Sequence, residues 1–175
     1  MEVKNQGGIQ MLDGEIVYGV LGGSLKLGLF KSTSAAVVVT NRRLVYAMLT
    51  NQMMKDAVNK AGEKAKAEGK GLLGRIGATM SATGDMLRKL ASMDPDEVIA
   101  MNPDNFSVPV DAVVKARFDR ITKTDHEGDS HGESLDLHIA TGDRKLKLNV
   151  TFMTASPEEM LRNSLGSKLG RGKFY

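Results

Sequence analysis

The stretch that decides the fold of this chain is SAAVVVTNRRLVYAML, which runs from Ser34 to Leu49. Two apolar, β-branched runs flank the short polar turn Thr40-Asn41-Arg42, a pattern typical of an antiparallel β-hairpin. Asn41 is the predicted turn pivot, because asparagine side chains bond nearby backbone and tolerate turn geometry. Both arms are apolar at nearly every position. This predicts a sheet that is covered on much of both faces.

Composition limits what the chain can be. Its 175 residues fit one domain with an insertion or a small appendage. The absence of cysteine excludes disulfides, thiolate metal sites and cysteine nucleophiles, and it is consistent with a reducing cytoplasm. No apolar run approaches the roughly 20 residues that span a bilayer, and the N-terminus shows no signal-peptide core. We therefore expect a cytoplasmic protein that could sit peripherally at a membrane.

Further short elements are expected on both sides of a central insertion. Gly22-Gly23-Ser24 is predicted to be a turn, 124–132 a long loop, and 156–166 a C-terminal helix that begins at Ser156. A basic, flexible tail is expected over 167–175. Besides the hairpin, strands are predicted at 15–21, 25–30, 97–101, 106–110, 113–121, 135–139 and 145–150.

Residues 51–93 change character abruptly, since β-branched residues nearly vanish after Asn51, the predicted helix N-cap. We interpret this segment as an inserted helical hairpin. Its second helix carries an apolar seam at coiled-coil spacing, formed by Leu73, Ile76, Met80, Leu87 and Leu90. The segment holds eight Lys or Arg and four Asp or Glu, whereas residues 94–155 hold seven and twelve. This asymmetry indicates a basic surface on the insertion.

Three stretches resemble bacterial PH-like and GRAM-like domains: Leu12-Asp13-Gly14-Glu15, the hairpin from Ala36 to Tyr46, and Val108 to Val113. The resemblance covers 12–50 and 97–166. It implies one α+β, mainly β domain over residues 1–175: an antiparallel barrel of about seven strands capped by a C-terminal helix. The insertion at 51–93 departs from the family pattern. The family implies a binding or scaffold module and no catalytic site.

Four basic residues could form a rim for anionic headgroups, as in PH-type domains that bind phosphoinositides: Lys26, Lys31, Arg42 and Arg43. The alternative is ordinary surface charge, with an arginine stem packed over the sheet. Both interpretations stay open at the level of sequence.

The chain carries no recognisable catalytic or metal motif. His126 and His131 share an acidic loop with Glu127 and Asp129, but no helical spacing fixes them as ligands, so a solvated loop is the simpler interpretation. His138 lies between two apolar residues and is predicted to point outward from a strand. No G-x-S-x-G sequence is present. We expect no cofactor, no metal and no enzymatic activity.

The sequence therefore predicts a non-enzymatic binding or scaffold module, in which the seam of the insertion mediates protein interaction or self-association. The alternative is a peripheral domain that binds anionic lipid headgroups through Arg42, Arg43 and the basic insertion. It also stays open whether the seam only folds back on the barrel and serves the fold alone. Sparse aromatics and the acidic later half argue against nucleic acid.

Overall fold

A computed structural model describes residues 9–10, 14–27, 31–69, 72–124 and 130–170 of the chain. The fold is mixed α+β and mainly β. Its strands are β1 (Ile9–Gln10), β2 (Ile16–Lys26), β3 (Ser32–Thr40), β4 (Arg43–Met48), β5 (Phe106–Pro109), β6 (Val113–Thr124), β7 (Ser130–Thr141), β8 (Lys145–Met153) and β9 (Leu169–Gly170). Its helices are α1 (Asn51–Ala67), α2 (Leu72–Ala91), α3 (Pro95–Ala100) and α4 (Pro157–Leu165).

The strands form one curled sheet that makes a half-barrel. Along the described strands the order is β5-β4-β3-β2-β8-β7-β6-β9, and β1 pairs with β2. Helix α4 lies against the concave face, where Met160, Leu161 and Leu165 join the inward side chains of the sheet in one core. The described residues contain nine strand segments rather than about seven, because the two-residue segments β1 and β9 add to the longer strands.

The predicted hairpin is confirmed as β3 and β4, with Asn41 and Arg42 in the turn. The Asn41 side chain ties this turn to the start of β2. Its Oδ1 accepts a hydrogen bond from the Ile16 N–H at 2.9 Å, and its Nδ2 donates to the Gly14 carbonyl at 3.1 Å. Alternate residues face opposite sides of the sheet, as strand geometry requires. Val37 joins the core around α4, whereas Val38 joins a second core on the outer face.

The helical insertion supplies the cover for that outer face. Helices α1 and α2 confirm the predicted pair of helices. Leu87 and Leu90 of α2 pack with Val38 and Val45, and Val98 of α3 completes the cluster. Full burial of a leucine stabilises a fold by roughly 1.5–3 kcal/mol relative to exposure. The insertion is therefore part of the hydrophobic structure of the domain, and it explains why both hairpin faces are apolar.

The prediction of a turn at Gly22-Gly23-Ser24 is wrong, because β2 continues through all three residues. The two glycines instead permit close approach of neighbouring groups. A Cβ on Gly22 would lie 2.9 Å from Leu87 Cδ1, and a Cβ on Gly23 would overlap the backbone carbonyl of Asn149. These glycines let α2 and β8 pack tightly against the middle of β2.

Two further predictions are wrong, and both concern the residues where a helix begins. Residues 97–101 do not form a strand, since α3 covers Pro95–Ala100. The Asp94 side chain accepts a hydrogen bond from the Asp96 N–H at 2.8 Å, and Pro95 occupies the first turn, which together favour a helix. At α1 the N-cap is Thr50 rather than Asn51, because Thr50 Oγ1 accepts from the Met53 N–H at 3.2 Å.

The C-terminal helix is found close to its predicted position, but the tail is partly ordered. Residues 166–168 form a 3₁₀ turn, and β9 pairs in parallel with β6. Lys168 Nζ donates to the Val110 carbonyl at 2.7 Å, which fastens this turn near the end of β5. The expectation of a flexible tail is therefore wrong for 167–170, and 171–175 lie outside the described residues. The expected loop is also shorter, since β7 begins at Ser130.

Candidate functional site

A groove of about 430 Å³ lies between α1 and α2. Its apolar walls come mainly from methionines, which line it from α1, from α2 and from the segments that flank α3: Met53, Met86, Met93 and Met101. Methionine is flexible and polarizable, so such a wall adapts to the shape of an apolar ligand. The size lies within the usual range for binding clefts.

The sequence builds the floor of this groove from small residues at helical spacing. Met53, Ala57 and Ala61 recur every four residues on α1, which places them on one side of the helix. Ala82 faces them from α2. Because alanine side chains are short, they leave open space between helices that are held together elsewhere. The next residue of the α1 stripe, Ala65, is buried.

The rim of the groove carries an excess of positive charge. Asp56 Oδ1 accepts a hydrogen bond from Gln52 Nε2 at 2.8 Å, and Asp85 is paired with Arg88. Three lysines also line the rim: Lys60, Lys64 and Lys89. Within the described part of the chain these lysines form no ion pair. The groove is therefore apolar at its base and basic at its edge.

The predicted seam on α2 divides into two parts. Leu87 and Leu90 are 1% and 2% exposed, and both are covered by the sheet of the same chain. Leu73, Ile76 and Met80 lie on the earlier part of α2, and their side chains are outside the described residues. An intermolecular role for the seam stays a prediction, and the two described leucines already have partners within the chain.

The structure does not bring the predicted basic rim together. Lys26 is paired with Ser32 at one end of the β2–β3 hairpin, whereas Arg42 and Arg43 follow Thr40 at the other end. The eight residue-to-residue steps from Ser32 to Thr40 span about 26 Å, at roughly 3.3 Å per step. Lys31, next to Ser32, lies at the end that carries Lys26.

Arg43 has a structural role in the hairpin. Its Nη2 pairs with Glu15 Oε2 at 2.9 Å, its Nε donates to Glu15 Oε1 at 3.0 Å, and its Nη1 pairs with Asp96 Oδ1 at 2.7 Å. The hydrogen bond to Glu15 is the main cause that raises the pKa of Arg43. Glu15 is 6% exposed and also accepts from Thr40 Oγ1 at 2.7 Å. The guanidinium thus neutralises a buried carboxylate and joins the residue before β2 to β4 and α3.

Of the three histidines, the structure describes the side chain of His138 alone. Among the described residues, no group of three or more His, Asp or Glu side chains is arranged to hold a metal. His126 lies outside the described residues, as does the side chain of His131. His138 faces away from the core on β7, as predicted, between the buried Leu137 and Ile139.

In the described parts of the chain, the helices are too short or too polar to cross a bilayer.

Comparison with known proteins identifies no family. No family model matches the chain, and no curated protein matches it. One similar solved structure is the hSac2 domain from the human phosphoinositide phosphatase Sac2. The two are 10% identical, the match covers 94% of this chain and 80% of that chain, and the TM-score is 0.42. A likeness at this level assigns neither a fold family nor an activity.

Proposed function

We propose that this chain is a non-enzymatic binding module of PH-like fold, whose α1–α2 groove takes up an acidic amphipathic helix from a partner protein. The order of elements supports the PH-like assignment, because a curled antiparallel sheet is followed by a C-terminal helix on its concave face. The observation that carries the proposal is the groove itself, with its methionine walls and basic rim.

The shape of the groove favours a helix as the occupant. An amphipathic helix binds by laying its apolar face into a hydrophobic trough between two helices. The alanines at 57, 61 and 82 open the trough, and the methionines around it can repack to fit apolar side chains. Met101 is 44% exposed although it borders this apolar space, so a partner would remove it from water.

The charge of the rim sets the sign of the partner. Lys60, Lys64 and Lys89 have no ion-pair partner in the described part of the chain, whereas Asp56 and Asp85 are each held by a neighbour. A helix with glutamates or aspartates beside its apolar face would supply the missing counter-charges.

Fluorescence anisotropy with two synthetic peptides tests the proposal. Both peptides carry the same leucine face at helical spacing. The polar face of one peptide carries glutamates, and the polar face of the other carries lysines. We expect the glutamate peptide to bind at least about tenfold more tightly. The variant Lys60→Glu/Lys64→Glu should reverse this preference. The control Lys55→Glu/Lys66→Glu makes the same change of charge at exposed positions outside the groove and should retain it.

A second variant separates shape from charge. Ala57→Leu fills the floor of the groove and leaves every charge in place, so it should also weaken binding of the glutamate peptide. Equal binding of both peptides, or an unchanged preference in Lys60→Glu/Lys64→Glu, would count against the proposal. Flotation with anionic vesicles that is lost in Lys60→Glu/Lys64→Glu, without peptide binding, would favour the lipid alternative. A concentration-dependent dimer without peptide binding would favour self-association.

A further inference from the structure

The outer face of the half-barrel carries a second basic surface, on β6, β7 and β8. Strand pairing places Arg117 opposite His138, and His138 opposite Lys147. Lys147 is in turn paired with Lys26 of β2. Four basic side chains therefore lie in one row across four strands, which are spaced about 4.8 Å apart. The row is not apparent in the sequence because its members come from four separate strands.

A hollow of about 380 Å³ opens beside this row. Ala140 of β7 forms the floor of the hollow. The residues paired with Ala140 in the two neighbouring strands are Lys115 of β6 and Lys145 of β8. A small side chain between two long ones leaves a depression on the surface of a sheet. The two lysine backbones stand two strand spacings apart, about 10 Å. Both lysines are exposed, and neither forms an ion pair with any described residue.

Buried carboxylates hold the remaining cations in place. Arg117 Nε pairs with Asp119 Oδ2 at 2.7 Å, and Lys147 Nζ pairs with Asp136 Oδ2 at 2.6 Å. The side chains of Asp119 and Asp136 are 4% and 5% exposed, so they lie beneath the cations. Asn149 Nδ2 also donates to Asp136 at 2.9 Å. Arg117 and Lys147 thus present fixed donors to the hollow, while the two flanking lysines can adjust.

The balance of charge around the hollow is positive. The pKa of His138 is lowered mainly by burial and next by repulsion from Lys147 and Arg117. Both effects favour the neutral imidazole. Four permanent cations line the hollow: Lys115, Arg117, Lys145 and Lys147. The two aspartates offset two of them. The imidazole can gain a proton when an anion arrives, because a nearby negative charge favours the charged form.

We propose that this hollow binds a compact anion that bears more than one phosphate group. Arginine and lysine are the side chains that recognise phosphate oxygens, through charge-assisted hydrogen bonds. Lys115 and Lys145 flank the hollow from opposite sides, so two linked phosphate groups would satisfy both. The phosphates could belong to a soluble compound or to a lipid headgroup. The site does not depend on the helical groove, because it uses different residues on a different surface.

Isothermal titration calorimetry of the full chain with inorganic pyrophosphate tests this site. We expect saturable binding that weakens as salt concentration rises. Lys115→Glu/Lys145→Glu should weaken it by more than about tenfold. The control Lys55→Glu/Lys66→Glu changes net charge equally and should bind within about twofold of wild type. Ala140→Leu fills the hollow without altering charge and should also lose affinity, provided that its thermal unfolding matches wild type.

Vesicles distinguish the two sources of phosphate. Sedimentation of the chain with phosphatidylcholine vesicles that contain phosphatidylinositol bisphosphate, but not with phosphatidylcholine alone, would assign the site to a lipid headgroup if pyrophosphate competes. Pyrophosphate binding without sedimentation would assign it to a soluble anion. The proposal is overturned if wild type shows no saturable binding, or if the control variant loses as much affinity as Lys115→Glu/Lys145→Glu.

Discussion

The contact between Gly22 and Leu87 provides a quantitative test of how the insertion docks on the sheet. Leu87 is 1% exposed in the outer core, so Leu87→Ala should reduce the free energy of unfolding by about 3 kcal/mol. Gly22→Ala would place a methyl group 2.9 Å from Leu87 Cδ1 and 3.1 Å from Leu87 Cδ2. Overpacking of this kind costs about 1–3 kcal/mol.

The two substitutions should not be additive. In the Leu87→Ala background the atoms that oppose the new methyl group are absent, so Gly22→Ala should cost close to nothing. The double variant should therefore be more stable than the sum of the single effects by about 1–3 kcal/mol. The control Gly142→Ala has open space around its Cβ and should add to Leu87→Ala without coupling.

Chemical denaturation of the four proteins of this cycle, with the Gly142 control, measures the coupling. The free energies of unfolding come from the midpoint and slope of each transition. Coupling within about 0.5 kcal/mol of zero for Gly22 and Leu87 would refute the docking of α2 on β2. Additivity at Gly142 together with coupling at Gly22 would support it.

Arg43→Ala leaves the buried Glu15 carboxylate without its cation, so it should reduce the free energy of unfolding by about 3 kcal/mol in denaturation experiments. A loss below about 1 kcal/mol would contradict this structural role. The lowered pKa of His138 favours its neutral form in the folded state, so wild type should lose stability as pH falls below the ordinary value of 6.5. His138→Gln should remove that part of the pH dependence, and identical pH profiles would contradict the burial of the imidazole. Gly23→Ala should destabilise strongly because its Cβ would overlap the backbone of β8, whereas Gly142→Ala should unfold at the wild-type denaturant concentration.

The hairpin could be predicted from sequence because its signal is local. Apolar residues at every position from Ala35 to Val39 require cover on both faces, and the structure provides α4 on one face and α2 on the other. The helical character of 51–93 was equally clear from the loss of β-branched residues. The local pattern left open whether the insertion packs on the barrel, and the structure shows that it supplies the second cover.

The error at Gly22 and Gly23 arises because distant residues decide the outcome, whereas the error after Pro95 comes from an ambiguous local pattern. Gly22 and Gly23 read as a turn because their close neighbours, Leu87 and Asn149, are far away in sequence. The short apolar run after Pro95 is compatible with either a strand or a helix, and the capping side chain of Asp94 decides for the helix.

The candidate sites also depend on residues that are distant in sequence. The basic character of Arg43 was visible, but its pairing with Glu15 crosses 28 residues and turns a candidate ligand contact into a structural one. The groove needs two helices packed together, and the basic face needs four strands in register. The excess of basic residues in 51–93 indicated a basic surface on the insertion, and only the packing shows which apolar space Lys60 and Lys64 border.

Methionine methyl groups allow the most direct test of the proposed function. In protein labelled with ¹³C at the methionine methyls, titration with the glutamate-faced peptide should shift the signals of groove residues such as Met53 and Met86. Met48 and Met160 lie in the barrel core at 8% and 2% exposure and should not move. We expect saturable shifts that are confined to the groove and are absent in Lys60→Glu/Lys64→Glu. Unchanged groove signals, or equal shifts with the lysine-faced peptide, would contradict it.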